Sequence, residues 1–190
     1  MIVHQVSVGL SAATPVGASP ADVVAAFHGW IQRDAVDELL IDVVDYSHVP
    51  GGPGVLLIGH TGHYAADVVG ERPGLRYQRR RDPPGPLAKK LREAAARALA
   101  AADRLERDLD GRLRFRGDEL VVRIHSRLLA PNDAPTFATA RDAAAGVLHD
   151  LFGGPDVALA PEPDPRRLLT LYVRGPRGTT AANLRERVTA

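Results

Sequence analysis

The sequence predicts an α+β fold, a two-layer sandwich of one sheet and one helix layer, and three observations carry this. Short apolar runs of strand length alternate with longer segments whose apolar residues recur at threes and fours. One of those segments, 86–109, is long and alanine-striped enough to lie along a sheet. The order strand–helix–strand–strand also occurs twice, at 3–8, 21–32, 38–46 and 54–60, then at 119–128, 135–152, 156–160 and 167–174. That unit is common in two-layer α+β folds. Identity between the two copies is poor, so the repeat is one of topology. The domain is expected to cover 1–175, with halves 1–81 and 112–175 joined by the helix 86–109 and followed by a tail, 176–190.

Each element has a local cause. Ile2, His4, Val6 and Val8 alternate with Val3, Gln5, Ser7 and Gly9, which suggests a strand. Ser19 suits a helix N-cap and Pro20 the first helical position. Val23, Val24, Phe27, Trp30 and Ile31 then recur at helical spacing, with Phe27 and Trp30 on the core side. Runs at 38–46 and 55–60 are apolar on both faces, as strands covered on two sides should be. They are joined by a Pro/Gly turn, Val49 to Gly54. A shorter strand is expected from Leu75 to Arg80. Asp82-Pro83-Pro84-Gly85 then breaks the chain before the long helix, which Gly111 ends. Residues 112–128 form a predicted hairpin turning at Gly117-Asp118, with Phe115 opposite Leu120 and Leu113 opposite Val122. A helix over 135–152, stopped by Gly153-Gly154, strands at 157–160 and 168–173 and a short helix from Ala181 complete the chain.

Composition narrows the function classes. The chain has 190 residues, 45% hydrophobic and 25% charged, enough to build a core. The net charge of +1 gives no global attraction to nucleic acid. There is no cysteine, so disulfides, thiolate metal sites and cysteine nucleophiles are excluded. No stretch reaches the ~18 apolar residues of a membrane helix. The first eight residues lack a secretory pattern. A cytoplasmic protein without membrane partners is the expectation.

Asp42 is the first site candidate. It stands inside the apolar run Leu39-Leu40-Ile41-Asp42-Val43-Val44, where an unpaired carboxylate would be costly. Asp45, His48, His60 and His63 follow within the same hairpin. Imidazole and carboxylate groups suit a divalent metal such as Zn²⁺, with Asp45, His48, His60 and His63 as its ligands. The alternative without metal is acid–base work by Asp42 and His60, with His48 in support. Strand parity places Asp42 and Asp45 on opposite faces and sets Asp42 near His60 across the hairpin. A structural lock between two buried strands uses the same pair. His60-x-x-His63 is not a helical metalloprotease motif, and no Gly-x-Ser-x-Gly elbow is present.

The second candidate is an arginine-rich face of the second hairpin: Arg112, Arg114, Arg116, Arg123, His125 and Arg127. The predicted register sets Arg112 across from Arg123, an arrangement that favours an anion between them. Salt-bridged, solvated arginines are the bland reading of the same face. A further basic stretch, Arg72 to Arg92 with Tyr77 inside it, could hold a single nucleic-acid strand, but no nucleic-acid signature accompanies it. The sequence therefore favours a binding or assembly module that takes an anionic small molecule on the arginine face. Self-association or a protein partner is the other use of such a module. A hydrolase-type enzyme centred on Asp42 and His60 stands second, and nucleic-acid binding third.

Overall fold

The computed structural model describes residues 1–13, 17–80 and 84–189. Among them the alternating run at the N-terminus divides into β1 (Ile2–Val3) and β2 (Val6–Ser11). Helix α1 (Pro20–Gln32) opens on a capping box in which the Ser19 side chain accepts from Asp22 N–H and the Asp22 carboxylate accepts from Ser19 N–H. The strands β3 (Leu40–Tyr46), β4 (Gly54–Gly59), β5 (Gly62–Val69) and β6 (Arg72–Arg79) follow as a meander. β7 (Gly85–Pro86) pairs with β1 in a two-stranded sheet beside the start of α2 (Leu87–Asp108). The chain continues through β8 (Glu119–Ile124), α3 (Ala134–Phe152), β9 (Ala158–Pro161), β10 (Thr170–Arg174) and α4 (Ala181–Thr189). Gly153, at φ 75°, caps α3 in the left-handed conformation.

The fold class is α+β. Eight strands form one antiparallel sheet in the order β3-β4-β5-β6-β2-β8-β10-β9. Helix α2 lies over β2 and β6, α1 over β3 and β4, and α3 and α4 against α2. Val6, Val8 and Leu10 of β2, Leu75 and Tyr77 of β6, Leu120 and Val122 of β8 and Leu171 and Val173 of β10 enter one core with the alanine stripe of α2. Those alanines, Ala94, Ala95, Ala98, Ala101 and Ala102, are fully buried, so small side chains let the helix approach the sheet closely. The other parity forms the open face: Ser7, Gly9 and Ser11 run down β2, flanked by Arg76 on β6 and by Val121 and Arg123 on β8.

The strand–helix–strand–strand order occurs in both halves, and the sheet arranges them about the adjacent pair β2 and β8. In the second half β10 lies directly beside β8; in the first, β6 and β5 separate β2 from β4. Strand β5 was not expected from sequence. Its residues Tyr64 and Ala66 face the helices while Ala65 and Val69 are buried against the open face, so no polar alternation marks it.

Two expectations fail. Residues 112–116 do not form a hairpin with β8. Instead Arg112 O and Arg114 O accept from Gly17 and Ala13 N–H, and Phe115 bridges Ala12. β8 pairs with β2 and β10, and Arg123 faces Ser7 and Thr170 rather than Arg112. Second, β3 is not covered on both sides. It is one edge of the sheet, with Ile41 56% exposed and Leu39, just before the strand, 67% exposed. Part of the predicted basic stretch and chain break, Arg81, Asp82 and Pro83, lies outside the described residues.

Candidate functional site

The hairpin cluster resolves into local turn chemistry. A bulge at Ile41 shifts the register, so Leu40 faces Gly59 and Asp42 faces Ile58. Asp42 is therefore not opposite His60, and it is exposed rather than buried. Its carboxylate accepts from Val43 N–H at 2.8 Å. His60 is exposed and its backbone N–H donates to Leu39 O. Asp45 accepts from Ser47 N–H at 2.8 Å, and the Ser47 hydrogen bonds hold it below the usual carboxylate range. His48 lies exposed in the same turn.

His63 stands apart from these residues on the open face. Arg80 Nη1 lies 2.9 Å from its Nε2. Arginine only donates, so Nε2 accepts and the proton sits on Nδ1, which is 3.0 Å from Gly62 O. Burial, then the Arg80 charge, pushes this imidazole below its ordinary range. Among the described residues no three His, Asp or Glu side chains converge as a metal site would require. The ligand set Asp45, His48, His60 and His63 is not brought together.

The lock that sequence assigned to Asp42 belongs to Glu38. Its Oε1 accepts from Thr61 N–H at 2.8 Å, Thr61 Oγ1 at 2.5 Å and Gly62 N–H at 2.6 Å. Tyr64 Oη donates to Oε2 at 3.3 Å. This one carboxylate ties the approach to β3 to the β4–β5 turn. Tyr64 is pushed far above its ordinary range, first by burial and then by the Glu38 charge.

The predicted arginine face is divided in the same way. Arg112 pairs with Asp22 at 3.1 Å and Arg114 with Glu106 at 3.2 Å, both away from the sheet's open face. Arg116 is held by Asp118 at 2.8 Å, and Arg127 is exposed. Arg123 and His125 alone come together, and they meet residues that sequence did not nominate. His125 Nε2 lies 2.8 Å from Ser7 Oγ, and Ser7 is fully buried. Arg123 Nε donates to Thr170 Oγ1 at 3.4 Å and, among the described residues, forms no ion pair. Arg76 stands on the same face, its guanidinium largely buried, with Asp67 at 3.6 Å.

Charge explains the protonation states here. Burial, then the positive charges of Arg76 and Arg123, lowers His125 to about 4, so the ring is neutral at neutral pH. Burial also lowers Arg76; Asp67 opposes that shift and Arg123 adds to it. Two guanidinium groups thus repel each other across a half-buried surface, and the one carboxylate beside them, Asp67 of β5, lies on the side of Arg76 away from Arg123. A hollow of about 10 Å³, the scale of one water, lies among Ser7, Gly9, Val69, Arg76, Val121 and Arg123. Gly9 makes it possible: a Cβ there would lie 2.8 Å from Val69 Cγ1.

A larger cleft of about 700 Å³ adjoins it and shares Val69 and Val121. Its far wall carries Glu162 and Tyr172. The rest of the basic stretch offers no comparable site. Arg72, Arg79 and Arg92 pair with Glu119, Glu93 and Asp150 at 3.1, 3.0 and 2.7 Å. Tyr77 is buried in an aromatic stack with Tyr64 and Trp30.

No family model, curated protein or solved structure matches the chain. The site's own geometry carries the functional argument.

Proposed function

We propose that this protein is a binding module for a small anionic ligand, held on the open face of its sheet by Arg76 and Arg123. The supporting observation is the electrostatic imbalance there. Arg76 has the carboxylate of Asp67 at 3.6 Å, whereas Arg123, whose charge acts against that of Arg76, forms no ion pair among the described residues. A phosphate or carboxylate set between them would relieve their repulsion and accept from both donor forks. The neutral, half-buried His125 adds a short-range hydrogen-bonding group beside the anion, its ring held from behind by the buried Ser7 hydroxyl. Binding should be insensitive to protonation of His125 near neutrality, because that ring titrates at about 4.

Isothermal titration calorimetry with inorganic phosphate at low ionic strength tests this reading. Wild-type protein should bind, and Arg123→Ala and Arg76→Ala should each weaken binding about tenfold or more, the effect of losing one charge-assisted contact. Equal phosphate affinity in wild type and Arg123→Ala would sink the assignment.

A further inference from the structure

We propose that the 700 Å³ cleft beside the arginine pair holds the body of the same ligand, and that the ligand is a phosphorylated sugar or polyol. The inference rests on the anion site of the preceding section and adds the chemistry of what is attached to the anion.

The cleft is aligned with that site. Arg123 pairs with Thr170, and Glu162 N–H donates to Thr170 O, so Arg123, Thr170 and Glu162 form one row across three neighbouring strands. Strand parity puts all three side chains on the open face. Two strand spacings separate the Arg123 and Glu162 backbones, about 10 Å. That span suits a five- or six-carbon sugar phosphate with its phosphate at the arginines.

The far end can read hydroxyl groups. Glu162 is only 7% exposed, yet it lines the cleft. Tyr172 Oη donates to its Oε2 at 2.8 Å and Asp164 N–H to its Oε1 at 3.2 Å. A carboxylate has about four lone-pair positions, so acceptor capacity remains for ligand donors. The donors called for are neutral ones. Arg167 Nη1 already stands 3.9 Å from Glu162, and Arg72 and Arg174 hold Glu119 at 3.1 and 3.6 Å. Glu119, Glu162 and Asp164 thus each have an arginine beside them, and hydroxyl donors suit the acceptor positions left at this end. Between the polar ends, Val121 and the Tyr172 ring, paired across β8 and β10, give an apolar wall against which the C–H face of a sugar can lie.

The test is calorimetric titration of the full chain with inorganic phosphate, ribose 5-phosphate and glucose 6-phosphate, repeated with Glu162→Ala and Tyr172→Phe. At least one sugar phosphate should bind about tenfold or more tightly than inorganic phosphate. Both substitutions should bring it down towards the phosphate value while phosphate affinity stays unchanged. Tyr172→Phe keeps the ring and its packing, so it decides the matter if Glu162→Ala fails to fold. Sugar phosphates that bind no better than phosphate, in a protein whose phosphate binding still depends on Arg123, would overturn the cleft assignment and leave the anion site standing. The cleft assignment also falls if neither substitution affects sugar-phosphate affinity. Absence of binding by all three ligands would overturn both.

Discussion

The edge hairpin and the centre of the open face both gather histidine with charged side chains, but they satisfy those groups differently. At the edge, the carboxylates bond within two residues of themselves: Asp42 to Val43 N–H and Asp45 to Ser47 N–H. At the centre, the partners are far apart in sequence. His125 meets Ser7 across 118 positions, and Arg123 meets Thr170 across 47. The edge groups are exposed and water could replace each contact. The central groups are buried or half-buried, so each contact must be supplied by the fold. A polar cluster in sequence is thus turn chemistry here, and the site candidate is a product of strand order.

Glu38 gives the largest test, because it lies near the edge but has the bonding of the centre. Glu38→Ala leaves Thr61 N–H and Gly62 N–H without their acceptor in a part-buried turn. Urea denaturation should show a loss of about 3 kcal/mol. A loss as small as that for Asp42→Ala would mean that position in the sheet, rather than bonding, sets the cost.

The next largest effect separates the histidines by pH. The folded His125 titrates at about 4, below the ordinary 6.5 of the unfolded chain, so the unfolded state binds more protons between those values. Stability from the neutral ring is fully present above about pH 6.5 and is lost as pH falls towards 4. The loss should be about 2 kcal/mol, with partial solvent access keeping it below the full linkage value. Melting curves from about pH 7.5 to about pH 4.5, which bracket that window, should lose the slope in His125→Gln and keep it in His60→Gln. An unchanged slope in His125→Gln would place the titration elsewhere.

Gly9→Ala tests the packing behind the arginine pair. The new Cβ would meet Val69, which is already wedged against Gly74, and should cost about 1–2 kcal/mol. Phosphate affinity should fall with it as the hollow closes. Asp42→Ala should have the smallest effect, below about 0.5 kcal/mol in the same denaturation experiment, since water can replace an exposed carboxylate.

Local rules made much of the fold legible. Ser19 and Pro20 marked the start of α1, the alanine stripe marked α2, and Gly153 marked the end of α3. What stayed hidden depends on pairing between distant strands. Gly117-Asp118 looks like a hairpin turn, yet Leu113 and Phe115 reach the core without a strand, and a Cβ on Gly117 would meet Thr180 backbone. The apolar run around Asp42 looked buried because length and composition cannot separate an edge strand from a central one. Arg123 and His125 were visible as a charged strand face. Arg76 shared that legibility, since Leu75 and Tyr77 flank it with core parity, but nothing local to β6 says that β2 and β8 lie beside it. Ser7, between two buried valines, gave no sign of its partner.

Trp30 gives the molecule an internal optical gauge. It is the chain's single tryptophan, fully buried, edge-on to Tyr64 of β5, with its Nε1–H donating to Asp108 of α2 at 2.6 Å. One fluorophore therefore reports on the seam where α1, α2 and the first wing of the sheet meet. Its emission should redden when that seam opens. The arginine pair lies on the opposite side of the sheet, so a ligand there leaves the signal alone unless the strands themselves shift.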